Sequence, residues 1–197
     1  MNWGLIINIV IRLSILYFLG EVLLFPDDPR FAGKAIPIRN FIIVITLSLL
    51  FPVLYFWKKK WFDWFGYSHH KFAHHKYPFW WDNLYLSIFW LDMAGNSFNL
   101  YDSYFYFDLI PHFHSTAALA AVLLGAFGWS FWGGVGLANI IHLLLEAQEY
   151  YTDVFLKTHN VRGTFDVVND LVVGVIGTIL YGLIYLWLTK WRKKMIS

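Results

Sequence analysis

Three apolar stretches of this 197-residue chain carry acidic or histidine residues at helical spacing: Asp108 and His112, then His142, Glu146 and Glu149, then Asp166 and Asp170. Steps of three or four residues put such side chains on one helix face. Ser115, Asn139 and Asn169 extend the three stripes, and Asp92, Asn96 and Asn99 can join from an earlier segment. Ionisable groups within a membrane span are costly, so their presence points to function. Seven of them in one small volume repel one another unless something compensates, and a divalent cation is the simplest compensator. Carboxylates with one or two imidazoles suit zinc, manganese or iron, and magnesium if the histidines only support the shell. The expected ligands are His112, Glu146, Glu149, Asp166 and Asp170. The expected catalytic groups are Asp108, Glu149 and Asp166, with Asp108 orienting His112. A proton or ion relay and a packing network are the alternatives.

The rest of the chain must position these groups, and its composition says how. It is 58% apolar and 21% aromatic with only 14% charged residues, which excludes a water-soluble domain of ordinary composition. A spanning helix needs about 20 apolar residues. Six segments approach that length: 3–25, 38–57, 78–98, 108–128, 131–152 and 164–190. The third is interrupted by Asp82, Asn83, Asp92 and Asn96. The first has no small-residue cleavage site after it and reads as a span rather than a signal peptide. The expected fold is therefore all-α, a polytopic bundle of about six spanning helices forming one membrane domain over 1–197. With no cysteine in the chain, disulfides and thiolate metal sites are excluded.

Charge distribution orients the bundle. Nine of the fifteen basic residues (Lys58, Lys59, Lys60, Lys71, Lys76, Lys190, Arg192, Lys193 and Lys194) fall on one side of an alternating six-helix arrangement. The positive-inside rule makes that side cytoplasmic, with both termini there. Only Asp63 and Asp82 of the acidic residues fall in that half. Trp57, Trp61, Trp64, Trp80, Trp81, Tyr150, Tyr151 and Trp191 sit near segment ends, as interfacial belts do. The fourth, fifth and sixth segments are antiparallel neighbours with short connections, so their polar stripes should meet on the outer side. At 1.5 Å per residue, Glu146 and Asp170 lie roughly 10 Å inside their helix ends, within reach of water or a lipid headgroup.

The other polar residues weigh less. His69, His70, His74 and His75 give a spacing like that of membrane di-iron enzymes. Topology separates them from His112 and His114, so an aromatic, basic interfacial segment is the plainer reading. His114 reads as a packing residue and His159 as a solvated loop residue. Arg12 must find a carboxylate, a carbonyl or a lipid phosphate, or else snorkel to the headgroups. Gly133, Gly134, Gly136, Gly174 and Gly177 read as close-packing surfaces.

Over residues 100–185 the chain resembles VanZ-like and YjdF-type membrane proteins. The matching motifs are Asp108-Leu-Ile-Pro-His112, Glu146-Ala-Gln148-Glu149, and Asp166-Val-Val-Asn169-Asp170 followed by Gly174 and Gly177. Only Gly163-Thr164 remains of the run that precedes the last helix in YjdF-type proteins, and Arg162 is near, but not at, the loop-arginine offset of VanZ-like ones. The resemblance implies a polytopic membrane fold in which these positions act as a unit. It implies little about mechanism.

The reading that follows is a metal-dependent enzyme acting on a lipid or lipid-linked envelope substrate. Its expected partners are membrane lipids and that substrate, with no nucleic acid. A small proton- or ion-coupled transporter and a non-catalytic membrane protein with a structural acidic cluster are the rival readings.

Overall fold

In the computed structural model, residues 1–31, 34, 36–64, 77–158 and 164–196 are described. Among them every regular element is helical. Helix α1 covers Trp3–Leu24. Helix α2, Ile36–Ile42, runs through a π-helical turn, Ile43–Leu47, into α3, Ser48–Trp64. Then come α4 (Phe79–Ser97), the short α5 (Leu100–Ser103), α6 (Leu109–Gly125), α7 (Phe131–Leu156) and α8 (Thr164–Ile196). The six apolar segments thus correspond to six long helical stretches, and the second differs most in its limits, running from Ile36 to Trp64. The fourth stops three residues early at Gly125, while α7 and α8 run on to Leu156 and Ile196.

Among the described residues, three stretches are long and apolar enough to cross a membrane: Trp3–Leu24, Ile36–Lys58 and Phe165–Trp191. Helix α6 is apolar but only 17 residues long. Helices α4 and α7 carry the polar residues that build the interior, Asp82, Asn83, Asp92 and Asn96 on one and His142, Glu146 and Glu149 on the other.

Helix α6 is central, packing against α4, α7 and α8, while α1 packs against α4. Its buried face is a run of small side chains, Ala117, Ala118, Ala120 and Ala121, and small faces let membrane helices approach closely. Opposite that run, Gly177 of α8 lies so near α6 that a Cβ there would stand 2.5 Å from the Phe113 carbonyl oxygen. Backbone cannot yield as a side-chain tip can. Gly177→Ala is expected to push α8 off α6 and destabilise the protein by about 1–3 kcal/mol, measured as a lower melting temperature in detergent. Gly134 packs closely on Leu124, but Gly136 faces open space and Gly133 only its own helix cap, so those two are not packing glycines.

Arg12 does not snorkel. Its guanidinium forms an ion pair with Asp82 Oδ2 at 2.9 Å and donates to the Ser48 carbonyl at 3.0 Å and to Asn8 Oδ1 at 3.0 Å. The reason lies in α3. Pro52 has no N–H and leaves the carbonyl four residues earlier, that of Ser48, without its helical donor. Arg12 supplies that donor from α1, and the Tyr85 hydroxyl donates to the neighbouring Leu47 carbonyl at 2.9 Å. Asp82 Oδ2 also accepts from Asn8 at 2.9 Å and from Tyr77 at 2.8 Å. Freed backbone groups in apolar surroundings need such partners.

In the loop after α1, Arg30 donates to both oxygens of Asp28 (2.9 and 2.8 Å), to Glu21 (2.8 Å) and to the Ser97 carbonyl (2.5 Å). The Arg30 hydrogen bonds hold the Asp28 carboxyl down to about 2. This clamp fixes the loop against the end of α4.

Trp57, Trp80, Tyr150, Tyr151 and Trp191 are exposed, as expected of interfacial residues. Trp81 instead turns inward against Gly125 and Tyr185. The side chains of Trp61 and Trp64 and the residues His69, His70, His74, His75, His159, Arg162 and Gly163 lie outside what is described.

Candidate metal centre

Helices α6, α7 and α8 bring His112, His142, Glu146 and Asp170 together, as the three stripes require. His112 Nδ1 lies 3.0 Å from His142 Nε2 and 3.0 Å from Glu146 Oε1. His142 Nε2 lies 3.2 Å from the same Glu146 oxygen. The three atoms form a nearly equilateral triangle. Glu146 and His142 are buried, and His112 nearly so.

A proton alone serves this triangle poorly. With Glu146 ionised, a hydrogen on His112 Nδ1 leaves the lone pairs of His142 and Glu146 facing each other. Moving it to His142 leaves His112 and Glu146 facing, and a hydrogen on each nitrogen brings two N–H groups together. A cation at the common centre compensates all three contacts at once. Donors bound at about 2.1 Å stand about 3.0 Å apart at right angles and about 3.4 Å apart at tetrahedral angles. The observed separations fall between these values and close to the first.

Each arm of the triangle is positioned by a packing feature. His142 fits because Gly174 of α8 has no side chain; a Cβ there would collide with the imidazole and crowd Thr116. Thr116 in turn donates to the His112 carbonyl at 2.8 Å. The His142 Nδ1 atom is buried without a hydrogen-bond partner. The far nitrogen of His112, Nε2, faces Asp108 Oδ1 at 3.4 Å and Asp170 Oδ2 at 3.9 Å. An N–H held by a carboxylate on the far side of a ligating imidazole is the common arrangement that fixes its tautomer. Asp108→Asn is accordingly expected to weaken metal binding by about 10- to 100-fold without unfolding the protein, read by competition with a metal-sensing dye.

Among the described residues, two groups could hold a metal ion: His112, His142 and Glu146, and Asp108, His112 and Asp170. Of the five ligands expected from the sequence, His112, Glu146 and Asp170 therefore lie in these groups. Glu149 and Asp166 line the adjoining cavity and belong to neither. Glu149 instead faces Arg39 of α2, whose Nη1 is 3.7 Å away. His142, although on the right stripe, is absent from the expected ligand set.

The cavity beside the triangle measures about 110 Å³. His112, Glu146, Asp170, Lys34, Arg39 and Asp92 are among its lining residues, and one Asp170 oxygen is buried with no hydrogen-bond partner among the described residues. Asp92 and Asn96 join from α4 as expected, but Asn99, Ser115 and Asn169 do not line the cavity. Asn99 ends α4 in the left-handed conformation that asparagine tolerates, and Asn169 is exposed on α8. Glu146 sits ten residues before the end of α7, roughly 15 Å inside it and deeper than expected, because the helix runs on to Leu156.

Two residues of this region were not evident from sequence as parts of the site. Arg39, near the start of the second apolar segment, pairs with Asp92 at 3.0 Å on the cavity wall. Lys34 meets Asp102 at 3.2 Å. Only a partner count could have pointed to them, since acidic residues in apolar segments require cations somewhere. His114 is a packing residue, bonded to Ser87 at 2.8 Å and Tyr181 at 3.2 Å.

No protein-family model, curated protein or solved structure matches this chain.

Proposed function

We propose that this is a metal-dependent membrane enzyme whose ion is held by His112, His142 and Glu146, and which acts on a lipid or lipid-linked substrate. The observation that carries the reading is the triangle of donor atoms at 3.0, 3.0 and 3.2 Å. Two imidazoles and one carboxylate suit zinc, iron or manganese better than magnesium, which prefers an all-oxygen shell. Three protein donors leave positions for water and substrate, the pattern of catalytic rather than structural sites. A bound ion would activate water or polarise a substrate oxygen. Asp108 holds His112 in its ligating tautomer, and Asp166, Asp170 and Glu149 face the cavity as candidates for proton transfer.

The membrane arrangement belongs to the same proposal. Six helices cross, both termini are cytoplasmic, and the site faces outward, as the lysine and arginine distribution suggests. A reporter fused after residue 103 should then report the outer side; a cytoplasmic signal there would reverse the orientation. The resemblance to VanZ-like and YjdF-type proteins rests on the same acidic and histidine positions and supports treating them as one site.

A proton relay is the second reading, favoured by the continuous chain from Glu146 through His112 to Asp108 and Asp170. Elemental analysis of purified protein separates the two. Near-stoichiometric metal supports the enzyme, whereas metal-free protein that still conducts protons supports the relay.

A further inference from the structure

We infer that the cavity beside the triangle receives a phosphoryl group, with Arg39 as the residue that selects it. This deepens the metal reading and rests on it. A cavity of about 110 Å³ gives room for a phosphoryl or carboxyl group.

Arg39 arrives from α2, an element that supplies no metal ligand, and stands on the cavity wall with Lys34. Its commitments are incomplete. Nη2 forms an ion pair with Asp92 at 3.0 Å, Nη1 is 3.7 Å from Glu149 and beyond hydrogen-bond reach, and the buried Nε has no partner among the described residues. The guanidinium therefore keeps N–H donors in reserve, in a planar fork suited to two oxygens of one phosphate. A tetrahedral dianion can place one oxygen toward the metal and others toward Arg39, which a flat carboxylate does less well. The carboxylates of the remaining wall repel such an anion, so binding should require the metal.

The level of the cavity agrees with a headgroup. Arg39 is in the first turns of α2, Asp108 precedes α6, Asp166 opens α8, and Asn96 is in the last turn of α4. Exposed Ile38, Phe41 and Phe165 lie at the same helix ends and would meet acyl chains. The phosphoryl group could belong to a lipid or to a soluble phosphate.

The test is manganese-loaded protein in detergent, with the bound manganese counted first. Paramagnetic broadening of phosphorus NMR signals is then followed for dihexanoyl phosphatidic acid and for inorganic phosphate. The expected result is metal-dependent broadening of phosphatidic acid, with Arg39→Gln weakening affinity about 10- to 100-fold while manganese is retained and Arg39→Lys restores part of it. Equal binding of inorganic phosphate keeps the phosphoryl assignment and makes the source soluble. If Arg39→Gln does not fold, the half-buried Lys34→Gln serves, with a several-fold loss expected. Broadening of neither probe, or affinity unchanged in the variant, overturns the inference. Failure to bind manganese at all overturns the metal reading instead, and the initial count tells the two failures apart.

Discussion

His142→Ala is expected to abolish tight metal binding, lowering affinity by more than about 100-fold, while leaving the helical fold in place. The bound is set by what changes around a ligand already do, about 10- to 100-fold for outer partners; removal of a donor exceeds it. His142 is the sharper test than His112, because His112 also contacts Asp108 and Asp170, whereas His142 meets only His112 and Glu146 in polar contact among the described residues. Substitution by alanine removes a ring that packs against Gly174, so some stability is lost as well, and a melting curve should accompany the elemental analysis. Gly174→Ala offers an independent route to the same end. It touches no ligand chemistry, yet its methyl group must displace the His142 ring. Loss of metal in both variants, with secondary structure kept, supports the triangle as the centre. Full metal content in His142→Ala would move the ion to the Asp108 side of the His112 ring.

Arg12→Ala is the second large effect, and it concerns stability rather than chemistry. Asp82 is only 1% exposed, and Arg12 is the one cation paired with it among the described residues. Deleting one partner of a buried pair leaves an uncompensated charge and costs about 3–5 kcal/mol. The Ser48 carbonyl loses its donor at the same time, and Pro52 cannot replace it. The expected outcome is a large fall in melting temperature, with metal content unchanged in the protein that remains folded. Combining Arg12→Met with Asp82→Leu should recover much of the loss, because replacing both members by apolar groups removes the desolvation penalty. A double variant no more stable than Arg12→Ala would mean that the carbonyl, not the carboxylate, is what Arg12 serves.

Much of the site was legible in the chain because helical spacing is a local property. Asp108 with His112, and His142 with Glu146, are four residues apart, and any helix through them puts each pair on one face. Short connections then force α6, α7 and α8 to lie side by side. What spacing could not give was the rotation of each helix about its axis. That rotation turns Asn169 and Ser115 away from the cavity. It sets Glu149 against Arg39 rather than against His112. It depends on where glycine and alanine let backbones approach, as Gly174 does for His142 and Gly177 for Phe113.

By itself, then, the sequence determined an all-helical, largely apolar chain with seven ionisable residues set on three helix faces. Composition and periodicity suffice for that, because each acts within a single segment. The tertiary structure decided which atoms meet: the triangle of His112, His142 and Glu146, the pairing of Arg12 with Asp82 and Ser48, and the pairing of Arg39 with Asp92. The Arg12 and Arg39 pairings join residues tens of positions apart through long, flexible guanidinium side chains. Their partners are fixed only by helix rotation and depth, which arise from packing between segments rather than from any pattern within one.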